Sequence, residues 1–308
     1  MTQFRDRFVG IIPPLITPLR DDGELDVESA ERLYAFHLNA GVQGLFLFGS
    51  SGEGPRLTQP QRTAALKAAA KVVAGRVPIL VGAIAAGTAA VVEQGAIARD
   101  LGADALVVCP PYYFPPSQDE ISEHFRHVQA AVGLPVVAYD IPVFVGTKIA
   151  METLLPLARD GVIVGVKDSS GDVAGFRRLL QKRPRGFRVH TGSELLVDVA
   201  LSLGADGAVP GLANVDPRAF VELYEHWQAG RRDEALEIQR RLVRLFDLFA
   251  DFDGQVKMRV AVGAMKTAML LRGVISSNRL CPPFAAVSPE HVERVRSLMR
   301  EGNLLQPV

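Results

Sequence analysis

Apolar residues along this chain gather in short unbroken runs. Eight runs, at 10–17, 44–49, 78–83, 105–109, 135–141, 162–167, 188–191 and 207–209, are rich in β-branched and small apolar residues. Alternation of apolar and polar positions marks a strand with one wet face, whereas an unbroken run marks a strand covered on both faces, as in a parallel sheet. Between these runs lie longer stretches patterned for helices, at 27–39, 59–73, 89–101, 118–131, 151–159, 173–181 and 195–203. Asp26 and Thr58 stand where N-caps belong, and Ser117-Gln118-Asp119-Glu120 has the form of a capping box. Gly41, Gly102 and Gly204 fall where three of the helices should stop.

Such regular alternation, some eight strand–helix units over residues 10–230, predicts an α/β fold, a (β/α)8 TIM barrel. The rival is a doubly wound open sheet, which would place a ligand where the strand order reverses. Residues 231–272 predict two further helices broken at Gly254, and 289–301 a third. The expected organisation is a catalytic barrel over 1–230 with a C-terminal helical extension over 231–308. Apart from the βα alternation there is no short internal repeat and no low-complexity tract.

Composition narrows the function classes. With 308 residues and 48% hydrophobic content the chain can bury a large core. Lysine plus arginine balances aspartate plus glutamate at 34 each, so no electrostatic footprint points to nucleic acid or an anionic membrane. No apolar run approaches bilayer-spanning length. The opening Met1-Thr2-Gln3-Phe4-Arg5-Asp6-Arg7 lacks the apolar core of a signal peptide. Two cysteines, Cys109 and Cys281, form neither a disulfide framework nor a zinc motif and read as small core residues. A reducing, cytoplasmic setting is expected. The six histidines are scattered, and no pair of them stands at strand ends as a barrel zinc site would want, so no metal is expected.

Reactive side chains collect at the ends of the expected strands, which in a barrel share one face. Only seven lysines accompany 27 arginines, yet one of them, Lys167, closes the apolar run Val162-Ile163-Val164-Gly165-Val166. Burial disfavours the ammonium form, and a neutral amine there is a nucleophile for a carbonyl carbon. The plainer reading is a lysine that reaches the mouth and pairs with Asp168. Ser50 and Ser51 lie in the turn Gly49-Ser50-Ser51-Gly52-Glu53-Gly54, which either holds an anion or is simply a tight βα turn. It lacks the Gly-Lys-Ser/Thr of a phosphate loop. Tyr139 is either core or a proton shuttle. Tyr112 and Tyr113 sit in the stiff stretch Cys109-Pro110-Pro111-Tyr112-Tyr113-Phe114-Pro115-Pro116, which suits a subunit contact as well as a site. Strand alternation turns Asp168 away from the side of Lys167, and Asp168 and Asp172 read as helix-entry residues. Glu194 reads as an N-terminal helix acid or a substrate contact.

The motifs Gly49-Ser50-Ser51-Gly52-Glu53, Tyr139-Asp140-Ile141-Pro142 and Gly165-Val166-Lys167-Asp168, in that order, resemble those of the dihydrodipicolinate synthase/N-acetylneuraminate lyase family. The resemblance runs from about Gly10 to the C-terminus. It implies a class I aldolase that needs no metal or cofactor and forms a Schiff base with pyruvate on Lys167. It further implies that Ser50 and Ser51 hold the pyruvate carboxylate, and that Tyr139, bonded near Ser51, is the general acid and base. Tyr113 matches a tyrosine that completes the proton relay from a neighbouring subunit of a homotetramer, a dimer of dimers. Gly192 and the backbone of Val209 would border the substrate.

Two departures bear on the substrate. Synthase members carry an arginine where this chain has Phe144, and a phenyl ring cannot bind a carboxylate in bidentate fashion. Sialic acid lyases carry a different pattern where this chain has Gly192-Ser193-Glu194-Leu195. The expectation is a lyase acting on a 2-oxo acid such as a 2-keto-3-deoxy sugar acid, to or from pyruvate and an aldehyde. A 4-hydroxy-2-oxoglutarate aldolase, a dehydratase of the same type and dihydrodipicolinate synthase are the alternatives. A non-enzymic 2-oxo-acid-binding barrel and a phosphate-binding barrel enzyme are the readings from other classes.

Overall fold

The computed structural model describes residues 2–305. Eight parallel strands, β1 (Gly10–Ile11), β2 (Leu45–Leu47), β3 (Ile79–Gly82), β4 (Ala105–Val108), β5 (Val136–Asp140), β6 (Gly165–Asp168), β7 (Arg188–Thr191) and β8 (Gly207–Ala208), form one sheet in the order β1-β8-β7-β6-β5-β4-β3-β2. The chain beyond β1 closes it against β2. Gln43 N donates to Ile11 O at 3.0 Å, Phe46 N to Pro13 O at 3.1 Å and Leu15 N to Phe46 O at 2.8 Å. Prolines at 13, 14 and 18 remove backbone donors from this stretch, so the expected strand over 10–17 pairs regularly only at its start. The fold is a (β/α)8 barrel, and the open doubly wound sheet is set aside.

Each strand is covered on both faces, and its alternation decides which face each side chain takes. Ala105, Val107, Val137 and Tyr139 pack inside the barrel with Ile12, Phe46 and Val164. Leu106, Val108, Val136 and Ala138 pack outward against the helices. A helix the sequence pattern did not suggest, Thr2–Arg7, leads into the N-terminal mouth of the barrel. Phe8, just beyond it, stacks on His190 at a centroid distance of 4.1 Å, with Phe4 stacked behind. The barrel is therefore plugged at one end, and ligand access is left to the other.

The expected caps are in place. Asp26 and Thr58 accept from the third residue beyond, and Ser117 and Glu120 complete a reciprocal capping box. Three helices follow the barrel, Arg232–Leu245, Met258–Leu271 and Pro289–Glu301. Leu242, Met265, Val295 and Met299 join the same apolar core as the barrel helices. No helix among the described residues is long and apolar enough to cross a membrane.

Candidate active site

Lys167 and Tyr139 are Cα partners across β5 and β6, so both side chains enter the barrel at one level. Both are buried, at 5% and 2% exposure. Lys167 Nζ donates to Tyr139 Oη at 3.1 Å. It also lies 4.2 Å from the centroid of the Tyr139 ring and 5.2 Å from that of Phe46. The neighbouring pair Asp140 and Asp168 faces the other way. Asp140 binds Lys148 Nζ at 2.7 Å and Ile149 N at 3.1 Å, and Asp168 accepts from Ser170 N at 2.8 Å. The pairing of Lys167 with Asp168, the plainer reading of the sequence, is thus not made. Burial raises the Asp140 carboxyl above the usual range, partly offset by Lys148. Gly192, just past β7, is needed for space: a Cβ there would lie 3.1 Å from Lys167 Cε and 1.9 Å from Ser169 Oγ.

The turn after β2 brings the hydroxyl pair to the phenol. Ser50 Oγ lies 3.4 Å from Tyr139 Oη, so Ser50, rather than the expected Ser51, touches the phenol. Ser51 is buried, close to Gly211 and Glu194. Two non-glycine residues with left-handed backbone bracket the pair, Phe48 at φ 61° and Glu53 at φ 54°. Such residues are costly without outside support, and the turn has several anchors. Thr17 Oγ1 donates to Gly52 O at 2.7 Å. Buried Arg62 donates to Gly54 O at 3.2 Å and Gly82 O at 2.6 Å, and its guanidinium lies over the Phe48 ring. Glu53 forms a buried ion pair with Lys266, Oε1 to Nζ at 2.6 Å.

Above Lys167 opens a cavity of about 410 Å3 at the C-terminal end of the strands. Lys167, Tyr139, Ser50, Ser51, Gly192, Glu194, Val209 and Phe144 all line it, so most of the residues expected from the sequence meet in one space. No arginine is among its described lining residues. Phe144, half-exposed on the one-turn helix Pro142–Val145, separates it from an apolar cavity of about 310 Å3 lined by Cys109, Tyr112 and again Ser50 and Tyr139. Glu194 is the acid of the first turn of the 3-10 segment Glu194–Leu196, and its carboxyl also reaches the neighbouring βα turn. Its Oε1 accepts from Gly211 N at 2.7 Å and Leu212 N at 3.3 Å, at the start of a 3-10 turn after β8. Burial raises its carboxyl above the usual range against these bonds.

Tyr113 is the expected site residue that the chain does not bring in. It is 83% exposed, at φ 81°, with its ring edge-on to exposed Phe114. Sequence reasoning missed the supports of the site: Thr17, Arg62, Lys266 and Asn214, whose side chain bonds Ile16 N, Pro14 O and Gly211 O. One signal was available. The scarcity of lysine that singles out Lys167 applies equally to Lys266, embedded in the apolar helix Met258–Leu271.

A family model described as the Dihydrodipicolinate synthetase family matches residues 7–301. The 4-hydroxy-tetrahydrodipicolinate synthase of Nitrosomonas europaea is 32% identical over 96% of this chain and 99% of its own. The crystal structure of dihydrodipicolinate synthase from Aquifex aeolicus superposes with a TM-score of 0.88 at 30% identity, covering 96% of this chain and 99% of that one. A prophage protein of E. coli K12 from the dihydrodipicolinic acid synthase family, solved in complex with pyruvate, superposes with a TM-score of 0.89 at 30% identity, covering 97% and 99%. Barrel, site and relatives together define an enzyme of the class I aldolase type. The chain belongs to the dihydrodipicolinate synthetase family.

Proposed function

We propose that this enzyme is a pyruvate lyase that makes or breaks a carbon–carbon bond in a 4-hydroxy-2-oxo acid, such as a 2-keto-3-deoxy sugar acid. The contact between Lys167 Nζ and Tyr139 Oη carries the reading. It sets a buried amine beside a proton carrier, next to two hydroxyls that suit a carboxylate. Lys167 attacks the C2 ketone, water leaves, and the protonated imine becomes an electron sink. Tyr139 takes the proton of the C4 hydroxyl, the C3–C4 bond breaks, and its electron pair forms the enamine as the aldehyde departs. Protonation at C3 and hydrolysis of the imine release pyruvate and free Lys167. Ser50 and Ser51 hold the carboxylate, while Gly192 and the backbone of Val209 border the bound acid. A dehydratase would use the same imine and expel a hydroxyl group.

Tyr113 enters this scheme only from a second copy. An exposed phenol on a proline-stiffened segment, and an apolar cavity that reaches Tyr139 from the side, fit a relay completed across an interface. A homotetramer follows the family pattern. The two buried thiols suit a reducing, cytoplasmic setting.

The names of the relatives favour a second reading, condensation of pyruvate with aspartate semialdehyde. The absence of arginine from the described cavity lining weighs against a second carboxylate. Borohydride added with pyruvate should reduce the imine and mark Lys167 irreversibly, and Lys167→Ala should lose both label and turnover. Label on another residue would end the assignment. Pyruvate release across 2-keto-3-deoxy sugar acids and 4-hydroxy-2-oxoglutarate, with aspartate semialdehyde tested in condensation, separates the substrates. If pyruvate binds and no member of the panel turns over, the chain is a binding protein.

A further inference from the structure

Lys266 is 0% exposed, yet it carries an amine on a helix whose other buried residues are alanine, valine, methionine, glycine and one threonine. Its ammonium donates to Glu53 Oε1 at 2.6 Å and to Arg279 O at 2.7 Å. The other carboxylate oxygen of Glu53 accepts from Cys281 N at 2.7 Å. Glu53 is 4% exposed and sits two residues past Ser51, in a left-handed conformation that a side-chained residue adopts at a cost. One carboxylate thus ties three segments far apart in sequence: the hydroxyl turn, the helix Met258–Leu271 and the stretch at 279–281. A buried ion pair is a poor source of stability, because removing two charges from water consumes most of what their attraction returns. Its value lies in the geometry it imposes. At this turn a small relaxation of Glu53 toward an ordinary φ would swing Ser50 and Ser51, whose hydroxyls are held among the described residues only by the contact of Ser50 with Tyr139 Oη. Thr17 and Arg62 grip the carbonyls of Gly52 and Gly54, on the far side of the serines from β2.

We infer that the Glu53–Lys266 pair is a positioning device through which the C-terminal helices hold the Ser50–Ser51 turn in its carboxylate-accepting form. Neither residue touches substrate. They act through the two serines, so the readout is affinity for the carboxylate of pyruvate more than the rate of the chemical step. The inference rests on the reading of Ser50 and Ser51 as the carboxylate cradle.

Three variants separate positioning from mere stability. Lys266→Met leaves Glu53 buried without its partner and loses fold stability along with the tether. Glu53→Gln keeps the shape of the side chain but loses its charge. The double variant Glu53→Gln/Lys266→Met removes both charges, so folding should recover relative to Lys266→Met while the tie to the helix Met258–Leu271 stays cut and only the Cys281 N contact can persist. Pyruvate-dependent borohydride labelling is titrated for each. In the double variant the pyruvate concentration for half-maximal labelling should rise by about tenfold or more, as when the supports of a binding group are removed. The label at saturation should still fall on Lys167.

If the double variant labels with the half-saturation of the wild type, the pair is only structural and the inference is overturned. Should it not fold, amide exchange of the wild type decides: pyruvate should slow exchange at 279–281 together with 48–54. Protection confined to 48–54 overturns the inference. A wild type that pyruvate and borohydride fail to label defeats the site assignment itself, and the inference with it, a result distinct from the other two.

Discussion

At the scale of single residues, the placement of the Lys167 amine depends on what its neighbours leave out. Gly192 has no side chain, and the Lys167 methylenes fill the space. In Gly192→Ala the new methyl meets Ser169 Oγ, which can rotate away, and Lys167 Cε at 3.1 Å, which must shift by a few tenths of an ångström. A displacement of about 1 Å at a reacting group costs roughly a hundredfold in rate, so this smaller shift should cost about tenfold. The fold should hold, since the site is a loop end outside the main apolar core. Rapid-quench borohydride trapping measures the rate of imine formation directly, and a variant that traps as fast as the wild type would show that the methyl is accommodated elsewhere. The same neighbourhood explains what was legible in the sequence. A lysine at the end of an apolar run, a tyrosine at the same level of the adjacent strand and a serine pair in a glycine turn are local patterns. The partners of Glu53 and Glu194 were not legible, because each is fixed by a long-range contact: Glu53 with Lys266, and Glu194 with Gly211.

At the scale of elements, capping and periodicity carried most of the reading. Helices at Val27–Asn39, Gln59–Val73 and Met151–Arg159 begin and end where the pattern put them. The segment 195–203 instead splits into a 3-10 turn, Glu194–Leu196, whose Glu194 bonds Gly211 N in the next βα turn, and a short helix, Val197–Ser202. The helices Thr2–Arg7 and Pro142–Val145 escaped notice, being too short for periodicity to register. Helix Gln118–Val132 offers a test of a purely structural element. Its capping box pairs Ser117 N with Glu120 Oε2 at 2.7 Å and Glu120 N with Ser117 Oγ at 3.3 Å, both at the surface. Ser117→Ala should lower stability by about 1 kcal/mol. The urea midpoint should fall while turnover of the folded enzyme stays unchanged. A turnover defect of the same size would mean that this helix, whose Gln118 holds Ala150 and Thr153, also sets the site.

At the scale of the whole molecule, three buried histidines, two on the surrounding helices and one on a barrel strand, set the response to acid. His37, His124 and His190 are all buried, and burial lowers their pKa values from 6.5 to about 4, about 4 and about 3. Neither ring nitrogen of His190 has a hydrogen-bond partner among the described residues, and the ring lies flat against Phe8 at the barrel's plugged end. Because each folded pKa is depressed, the unfolded chain takes up a proton that the folded chain refuses. Full stability is therefore present above 6.5 and drains away as the pH falls toward 4 for His37 and His124, and toward 3 for His190. Well below 6.5 each histidine costs roughly 1.4 kcal/mol per pH unit. Asp140 and Glu194, whose folded pKa values are raised by burial, act with the opposite sign: the folded state gains their protons first, which softens the loss at the acid end. Urea midpoints measured from pH 7.5 downward should stay level to about 6.5 and then fall steeply. His190→Phe, which keeps the aromatic stack without a titrating group, should flatten part of that descent. A stability curve level down to pH 4.5, or a variant that follows the wild type, would mean that water or local relaxation lets these rings charge in place.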